Sequence, residues 1–251
     1  MRLDQELVVR KLCESRTEAQ ELISSGVVFV NSIVCTKQTR QVNDTDDIMV
    51  TSRRQFVSRG GDKLQGVLRD VYREDHIIKV NLLGKDALDV GSSTGGFTDC
   101  LLSYGINSVD AVDVGTLQLH EKLRNDSRVT LYENTDIRNF QQPRQDLHTQ
   151  TKYDIIVADL SFIKLSNVID DIVRLSSEGA QCFLLIKPQF EVGKGNTKKG
   201  IVKDESIVKE VLNFYTKIAN EKGLKSIKVY PCHIQGGEGN QEYFLYGILT
   251  R

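Results

Sequence analysis

The chain has 251 residues, 39% hydrophobic and 27% charged, with a formal net charge of -1. That is enough for one large domain, or a small one beside a medium one, with an ordinary soluble balance. The charge excludes a general polycation, so any nucleic-acid binding must come from local basic patches.

No run of about eighteen apolar residues is present, so no transmembrane helix is expected. The opening MRLDQELVVRKL lacks the unbroken apolar core of a signal peptide. Cys13, Cys35, Cys100, Cys182 and Cys232 are scattered and form no CxxC pair. That pattern predicts reduced thiols and a cytoplasmic protein.

The first fifty residues read as a small unit. ESRTEAQELISSG opens with Ser15 as N-cap and Glu18 three residues on, a capping box. Leu22 and Ile23 give this helix an apolar face, and Gly26 suits its C-terminal cap. Two short β-prone runs follow around the turn pair Asn31-Ser32, and VNDTDDIMV adds a turn and a last strand. Arg2, Arg10, Lys11, Arg16, Lys37 and Arg40 are spread over the unit, and charge alone makes them a solvated surface. RLDQELV, SRTEAQELISSGVVFVN and DDIMV, with the spacing of Ser15-Arg16, Ala19, Gly26, Val28, Val30 and Asn31, resemble the S-four-like RNA-binding domain. The resemblance implies that Arg2, Arg16 and Lys37 face an RNA backbone, with Arg53, Arg54 and Arg59 of the next segment.

TSRRQFVSRGGDKL is polar and basic and reads as a linker entering a helix at about Lys63. Strands and helices then alternate. Strands are expected at 86–90, 108–114, 128–133 and 153–160, in AQCFLLIK, in KSIKVYP and in QEYFLYGIL. Helices are expected in GFTDCLLSYG, around Asn167 to Ser176, and in DESIVKEVLNFYTKIANEKG, whose Val208, Val211, Leu212, Tyr215, Ile218 and Ala219 share one face. This alternation implies an α/β domain with a parallel sheet covered by helices on both faces. GKGNTKKG, residues 193–200, is the expected mobile loop.

LDVGSSTGGF lies at the first strand-to-helix turn, beside which ligands of such sheets bind. Gly91 and Gly95 allow a tight turn and close approach. Ser93 spoils a GxGxxG reading, and no Gly-Lys-Ser/Thr follows to make a P-loop. D-x-G-x-x-x-G-G-F resembles the first motif of S-adenosylmethionine-dependent methyltransferases. That makes Asp89, Gly91, Ser92, Thr94, Gly95, Gly96 and Phe97 the cofactor loop, with more weight on its backbone than on its side chains. Asp113 ends the next strand, where an acid can bind ribose hydroxyls. Asp136 follows the third strand, where such enzymes read adenine.

FLLIK ends a buried strand on Lys187, directly before Pro188. A buried ammonium must be paired or used. Asp159, in VADLSF, ends a neighbouring strand on the ligand side and also borders the cofactor. Lys63, in SRGGDKL, opens the entering helix. Glu242, in GNQEYF, joins them if the last strand runs antiparallel; Glu238 in GGEGN is the alternative. Each alone reads as a rim charge or a fixed ion pair. Together, Lys63, Asp159, Lys187 and Glu242 match the tetrad of the ribose 2′-O-methyltransferases that resemble FtsJ.

With the S-four-like unit in front, the whole chain resembles the TlyA family of bacterial ribosomal RNA 2′-O-methyltransferases, whose members also carry the name hemolysin. The resemblance implies a Rossmann-like, mostly parallel seven-stranded sheet with an antiparallel last strand. It implies domains at 1–52 and 61–251 joined by a basic linker at 53–60. S-adenosylmethionine is the implied cofactor, and cytidine riboses of ribosomal RNA are the implied targets. No metal is expected, and His76, His120, His148 and His233 read as surface or structural.

A ribose hydroxyl is a poor nucleophile, so the protein must align it with the methyl donor and remove a proton. Desolvation and the nearby Lys63 favour a neutral Lys187 able to act as base, while Asp159 and Glu242 oppose that effect and orient the amines. A cytolysin would need a secretion signal or an amphipathic membrane segment, and neither is evident. A non-catalytic RNA-binding assembly factor could dispense with Lys63 or Lys187, and both are present.

Overall fold

The periodicity of the first unit is satisfied by two helices packed on a small sheet. Helix α1, Leu3–Val9, and helix α2, Arg16–Ser24, bury Leu3, Leu7, Ala19, Leu22 and Ile23. These cover strands β1 (Val28–Val30), β2 (Ile33–Val34) and β3 (Ile48–Val50), paired antiparallel in the order β2-β1-β3. Val30 pairs with Ile33, so Asn31 and Ser32 form a two-residue turn, both with positive φ as a twisted hairpin requires. Ser15 caps α2 by accepting the Glu18 N–H at 3.2 Å. Glu18 reaches back to the Glu14 N–H at 2.8 Å rather than to Ser15, so the capping box is half formed.

The computed structural model describes residues 1–24, 26–50, 55–74, 82–141, 152–193, 195–198, 200–236 and 239–251. They divide into two compact units, Met1–Gln55 and Phe56–Arg251.

A buried carboxylate organises the first unit. Asp4 is fully buried on α1 and accepts from Arg2 Nε at 2.9 Å, Arg16 Nε at 2.9 Å and Gln20 Nε2 at 3.0 Å. Burial alone would raise its pKa, but these donors, two of them guanidinium groups, outweigh burial and hold it well below the usual carboxylate range.

The second unit begins with α3, Arg59–Glu74, followed by β4 (Asp86–Val90), α4 (Gly96–Ser103), β5 (Ser108–Val112), α5 (Glu121–Arg124) and β6 (Val129–Tyr132). Then come β7 (Tyr153–Ala158), α6 (Ile169–Leu175), β8 (Ser176–Ile186), α7 (Pro188–Glu191), α8 (Glu205–Glu221), β9 (Leu224–Pro231) and β10 (Tyr243–Leu249). The sheet order is β6-β5-β4-β7-β8-β10-β9, with only β10 antiparallel to its neighbours. This is the expected Rossmann-like, seven-stranded architecture.

The central strands are buried on both faces, which is why they read as continuous apolar runs. Ala87, Ile155, Val157 and Phe183 face α3 and α4, while Leu88, Ile156, Leu184 and Leu245 face α6 and α8. Helix α3 opens at Arg59, not near Lys63, so Gly60 and Gly61 belong to its first turn. A Cβ on Gly96 would run into Ser58 Oγ and come within 2.8 Å of Gly61 N, so the two helix starts pack backbone to backbone. Tertiary packing therefore overrides the low helix propensity of the glycines. Helix α6 is shorter than expected because Ser176 already begins β8. At the end of 193–200, Lys198 exchanges backbone hydrogen bonds of 2.9 and 3.2 Å with Ile201, while Lys194 and Lys199 lie outside the described residues.

Replacing Asp4 by Ala leaves Arg2 and Arg16 without their shared carboxylate. Because both arginines are partly exposed, the cost should be about 2–3 kcal/mol, below that of a fully buried pair. Native-state hydrogen exchange on the full chain should show it as faster exchange in α1 and α2, with β4 and β7 unchanged. The depressed Asp4 pKa contributes stability above the unfolded value near 4, so the wild-type first unit should weaken as pH falls below about 4. The Asp4→Ala variant should lack that pH dependence.

Candidate active site

The order of the sheet reverses between β4 and β7, and the loops leaving these strands diverge to form a crevice at their carboxyl ends. Gly91 has φ +80, and a Cβ there would lie 2.5 Å from the Asp159 carbonyl oxygen, so the first loop can touch the second only as glycine. Gly95 caps α4 in the left-handed region. Ser93 also takes a positive φ of 47, and its N–H donates to Asp113 Oδ2 at 2.8 Å. Asp113 Oδ1 accepts from the Gly115 N–H at 2.7 Å, so Asp113 braces the loop that it faces.

Asp89 Oδ2 accepts from the Thr98 N–H at 3.0 Å and from Thr98 Oγ1 at 2.7 Å. Asp89 Oδ1 and Ser92 Oγ are buried with no hydrogen-bond partner among the described residues. Burial pushes the Asp89 carboxyl up to about 7, opposed by the Thr98 bonds and aided by the Asp159 charge.

The crevice has a volume of about 370 Å³ and is lined by Val112, Asp113, Asp136, Ile137, Leu160 and Val168. A smaller cavity of about 140 Å³ shares Gly91, Ser93, Asp159 and Ser161 with it and holds Asp89, Ser92, Thr94, Gly96, Phe97 and Lys187. One end is therefore apolar and the other carries orphaned acceptors. Asp136 lines the crevice but is engaged by Arg138, whose Nε donates to it at 2.9 Å and whose bonds hold the carboxyl below its ordinary range.

Lys187 leaves β8 as the N-cap of α7, with Pro188 fixing the next φ. Its Nζ forms an ion pair with Asp159 and donates to Ser161 Oγ at 3.0 Å. Lys63 Nζ lies 2.6 Å from Glu242 Oε2, and Gln189 Nε2 donates to Glu242 Oε1 at 3.3 Å. The antiparallel register pairs Tyr243 with Ile186, which sets Glu242 at the strand end that Lys187 leaves. Lys63, Lys187 and Glu242 are 8%, 9% and 2% exposed, so the Lys63–Glu242 pair is largely removed from water, while Asp159 keeps its pair with Lys187 partly exposed. Glu238, the alternative to Glu242, lies outside the described residues.

Ser161 and Gln189 were not anticipated. Both sit inside motifs that were read, two residues beyond Asp159 and Lys187, but uncharged side chains give no sequence signal of convergence. Phe162 is 91% exposed, 5.2 Å from the Phe190 ring, which itself lies 5.9 Å from Lys187 Nζ. Among the described residues no three metal-ligating side chains cluster. His120 accepts the Lys122 N–H at the start of α5, and His233 pairs with Asp70 at 2.7 Å; His76 and His148 lie outside the described residues.

Of the expected RNA-facing residues, Arg16 and Lys37 are exposed, although Arg16 and Arg2 are tied to Asp4. Arg59 donates to the Gln235 carbonyl, and Arg53 and Arg54 lie outside the described residues.

The pattern of the FtsJ-like methyltransferases matches residues 56–248. The chain belongs to the FtsJ-like methyltransferase family. An S4 domain matches residues 1–48. The chain is 39% identical over 248 residues, 98% of its length and 88% of the relative's, to the 16S/23S rRNA (cytidine-2′-O)-methyltransferase TlyA of Mycobacterium tuberculosis. It is 35% identical over 250 residues, 99% of its length and 100% of the relative's, to Hemolysin A of Brachyspira hyodysenteriae. A solved structure from Streptococcus thermophilus, labelled a hemolysin, is 32% identical with a TM-score of 0.75, covering 100% of this chain and 88% of that one. The chain is thus an enzyme, a methyltransferase preceded by an S4 domain.

Removing one partner of the Lys63–Glu242 pair should leave a buried charge and cost about 3–5 kcal/mol, whereas removing both should cost less than the sum. Urea unfolding of the second unit in the full chain checks this through Lys63→Ala, Glu242→Ala and the double variant. Additive losses would show that the two side chains are not coupled.

Proposed function

We propose that this chain transfers a methyl group from S-adenosylmethionine to ribose 2′-hydroxyls of ribosomal RNA, cytidine riboses in particular, with Lys187 as the base. The observation that carries the reading is a pair of ion pairs at neighbouring strand ends: Lys187–Asp159, which lines the polar cavity, and Lys63–Glu242, joined to the Lys187 segment through Gln189. The relatives named for cytidine 2′-O-methylation of 16S and 23S RNA support the substrate. The S4 domain supports RNA binding by the front unit.

The residues fit the cofactor. Asp89 Oδ1 and Ser92 Oγ are orphaned acceptors suited to its amino group. Asp113 lines the crevice and would accept from the ribose hydroxyls, and Ile137, Leu160 and Val168 line it with apolar surface that would suit the adenine. When bound, S-adenosylmethionine supplies an electrophilic sulfonium methyl.

The chain's own work is alignment and proton removal. Asp159 and Ser161, which line both cavities, fix Lys187 Nζ in the smaller one, and in its neutral form the amine takes the hydroxyl's proton. Glu242, itself bonded by Gln189, holds Lys63, whose positive charge would favour the anionic substrate. Buried free thiols and a ribosomal RNA substrate agree with activity in the cytoplasm. No helix among the described residues is long and apolar enough to cross a membrane; the cytolysin reading rests on the hemolysin names of relatives.

In a tritiated methyl transfer assay on ribosomal subunits, Lys187→Ala should lose about 10²–10⁴-fold in turnover while cofactor binding persists. Lys187→Arg should fail as well, because arginine keeps its charge but cannot release its proton at usable pH. Near wild-type turnover in the arginine variant would make Lys187 an electrostatic anchor rather than the base.

A further inference from the structure

The loops that carry Asp159 and Lys187 leave neighbouring strands, but the ladder between β7 and β8 ends at the Ala158 and Leu184 pair. Beyond it, side-chain links span the two loops. Lys187 itself is ion-paired with Asp159 and donates to Ser161, and Phe162 packs on Phe190. A further link lies at the far end of both loops.

Glu191 ends the short helix that begins at Pro188, and its Oε1 accepts the Leu165 N–H at 3.1 Å. Leu165 opens the 3₁₀ turn Leu165–Asn167, which closes the loop bearing Asp159, Ser161 and Phe162. The other Glu191 oxygen accepts the hydroxyl of Tyr215, a residue 1% exposed on α8. Tyr215 Oη in turn accepts the Ser166 N–H at 3.3 Å. One carboxylate and one phenol thus tie both loops to the long helix.

A cavity of about 280 Å³ borders this junction, lined by Glu191 and Tyr215 with Lys164, Glu210, Val211 and Phe214. Burial, reinforced by the Glu191 carboxylate, pushes the Tyr215 phenol well above its ordinary value, so it remains a hydroxyl donor.

We infer that Glu191 and Tyr215 are positioning residues for methyl transfer, holding the two loops in the register at which Lys187 Nζ meets Asp159 and Ser161. The inference rests on the reading of Lys187 as the base. Small displacements of reacting groups cost rate far more than affinity.

Tyr215→Phe keeps the ring and removes both hydroxyl bonds. In the full chain, single-turnover methyl transfer to ribosomal subunits should fall roughly ten- to a hundredfold at saturation. The KM for RNA and the cofactor Kd should stay at wild-type values, and the Tm should fall, because the Glu191 carboxylate loses a donor, yet stay above the assay temperature. The same substitution should add no further loss in a Lys187→Ala background. Glu191→Gln keeps an acceptor for the Leu165 N–H and should recover most of the rate that Glu191→Ala loses, which keeps the test open if Tyr215→Phe folds poorly. A wild-type rate in Tyr215→Phe beside a slow Lys187→Ala would overturn the positioning role alone, as would an equal loss in the Lys187→Ala background. A wild-type rate in Lys187→Ala would overturn the base reading and this inference with it.

Discussion

Taking an ammonium out of water costs several kcal/mol unless a carboxylate and further hydrogen bonds replace the solvent, and this fold meets that demand twice at one end of one sheet. Lys187 is held by Asp159 and Ser161, and Lys63 by Glu242, which Gln189 also contacts. The four charges come from α3, from the ends of β7 and β8, and from the start of β10. Only a sheet with β10 inserted antiparallel brings the last of these to the same edge. The topology therefore sets the chemistry: a parallel β10 would place Glu242 at the opposite end and leave Lys63 buried without its partner.

The cofactor crevice is built by the same economy of backbone. Gly91 touches the Asp159 carbonyl, Ser93 bends through the left-handed region to reach Asp113, and Asp113 in turn holds the loop at Gly115. Asp159 and Ser161 belong to both cavities, so the groups that orient Lys187 also border the place where a methyl donor would end. The first unit uses the same device for a different end. A buried Asp4 gathers Arg2 and Arg16, leaving part of the arginine surface exposed on a unit of the S4 type.

Much of this was legible because buried parallel strands are written as apolar runs, and each of DALDV, YDIIVADL and FLLIK stops at a charge or a turn. Lys187, Asp159 and Asp113 stood out for that reason. The glycines of SRGGDKL misled, because their low helix propensity reads as linker, while close packing against α4 makes them the first turn of α3. Ser161, Gln189 and the Glu191–Tyr215 junction were invisible. Their bonds join residues distant in sequence, they carry no periodicity, and Tyr215 read simply as one more apolar position on α8. Short α5 and the early start of β8 were lost in the same way, since a single turn of helix has no measurable period.

The central claim concerns the atom that receives the methyl group. A 2′-O-methyl ribose protects the adjacent phosphodiester from alkali, because the neighbouring hydroxyl that would attack it is blocked. Ribosomal subunits methylated by this protein with tritiated S-adenosylmethionine should, after alkaline hydrolysis, carry the label in resistant dinucleotides whose first residue is 2′-O-methylcytidine. Label recovered in mononucleotides, which would mean a methylated base, or no transfer to ribosomal RNA at all, would contradict the account.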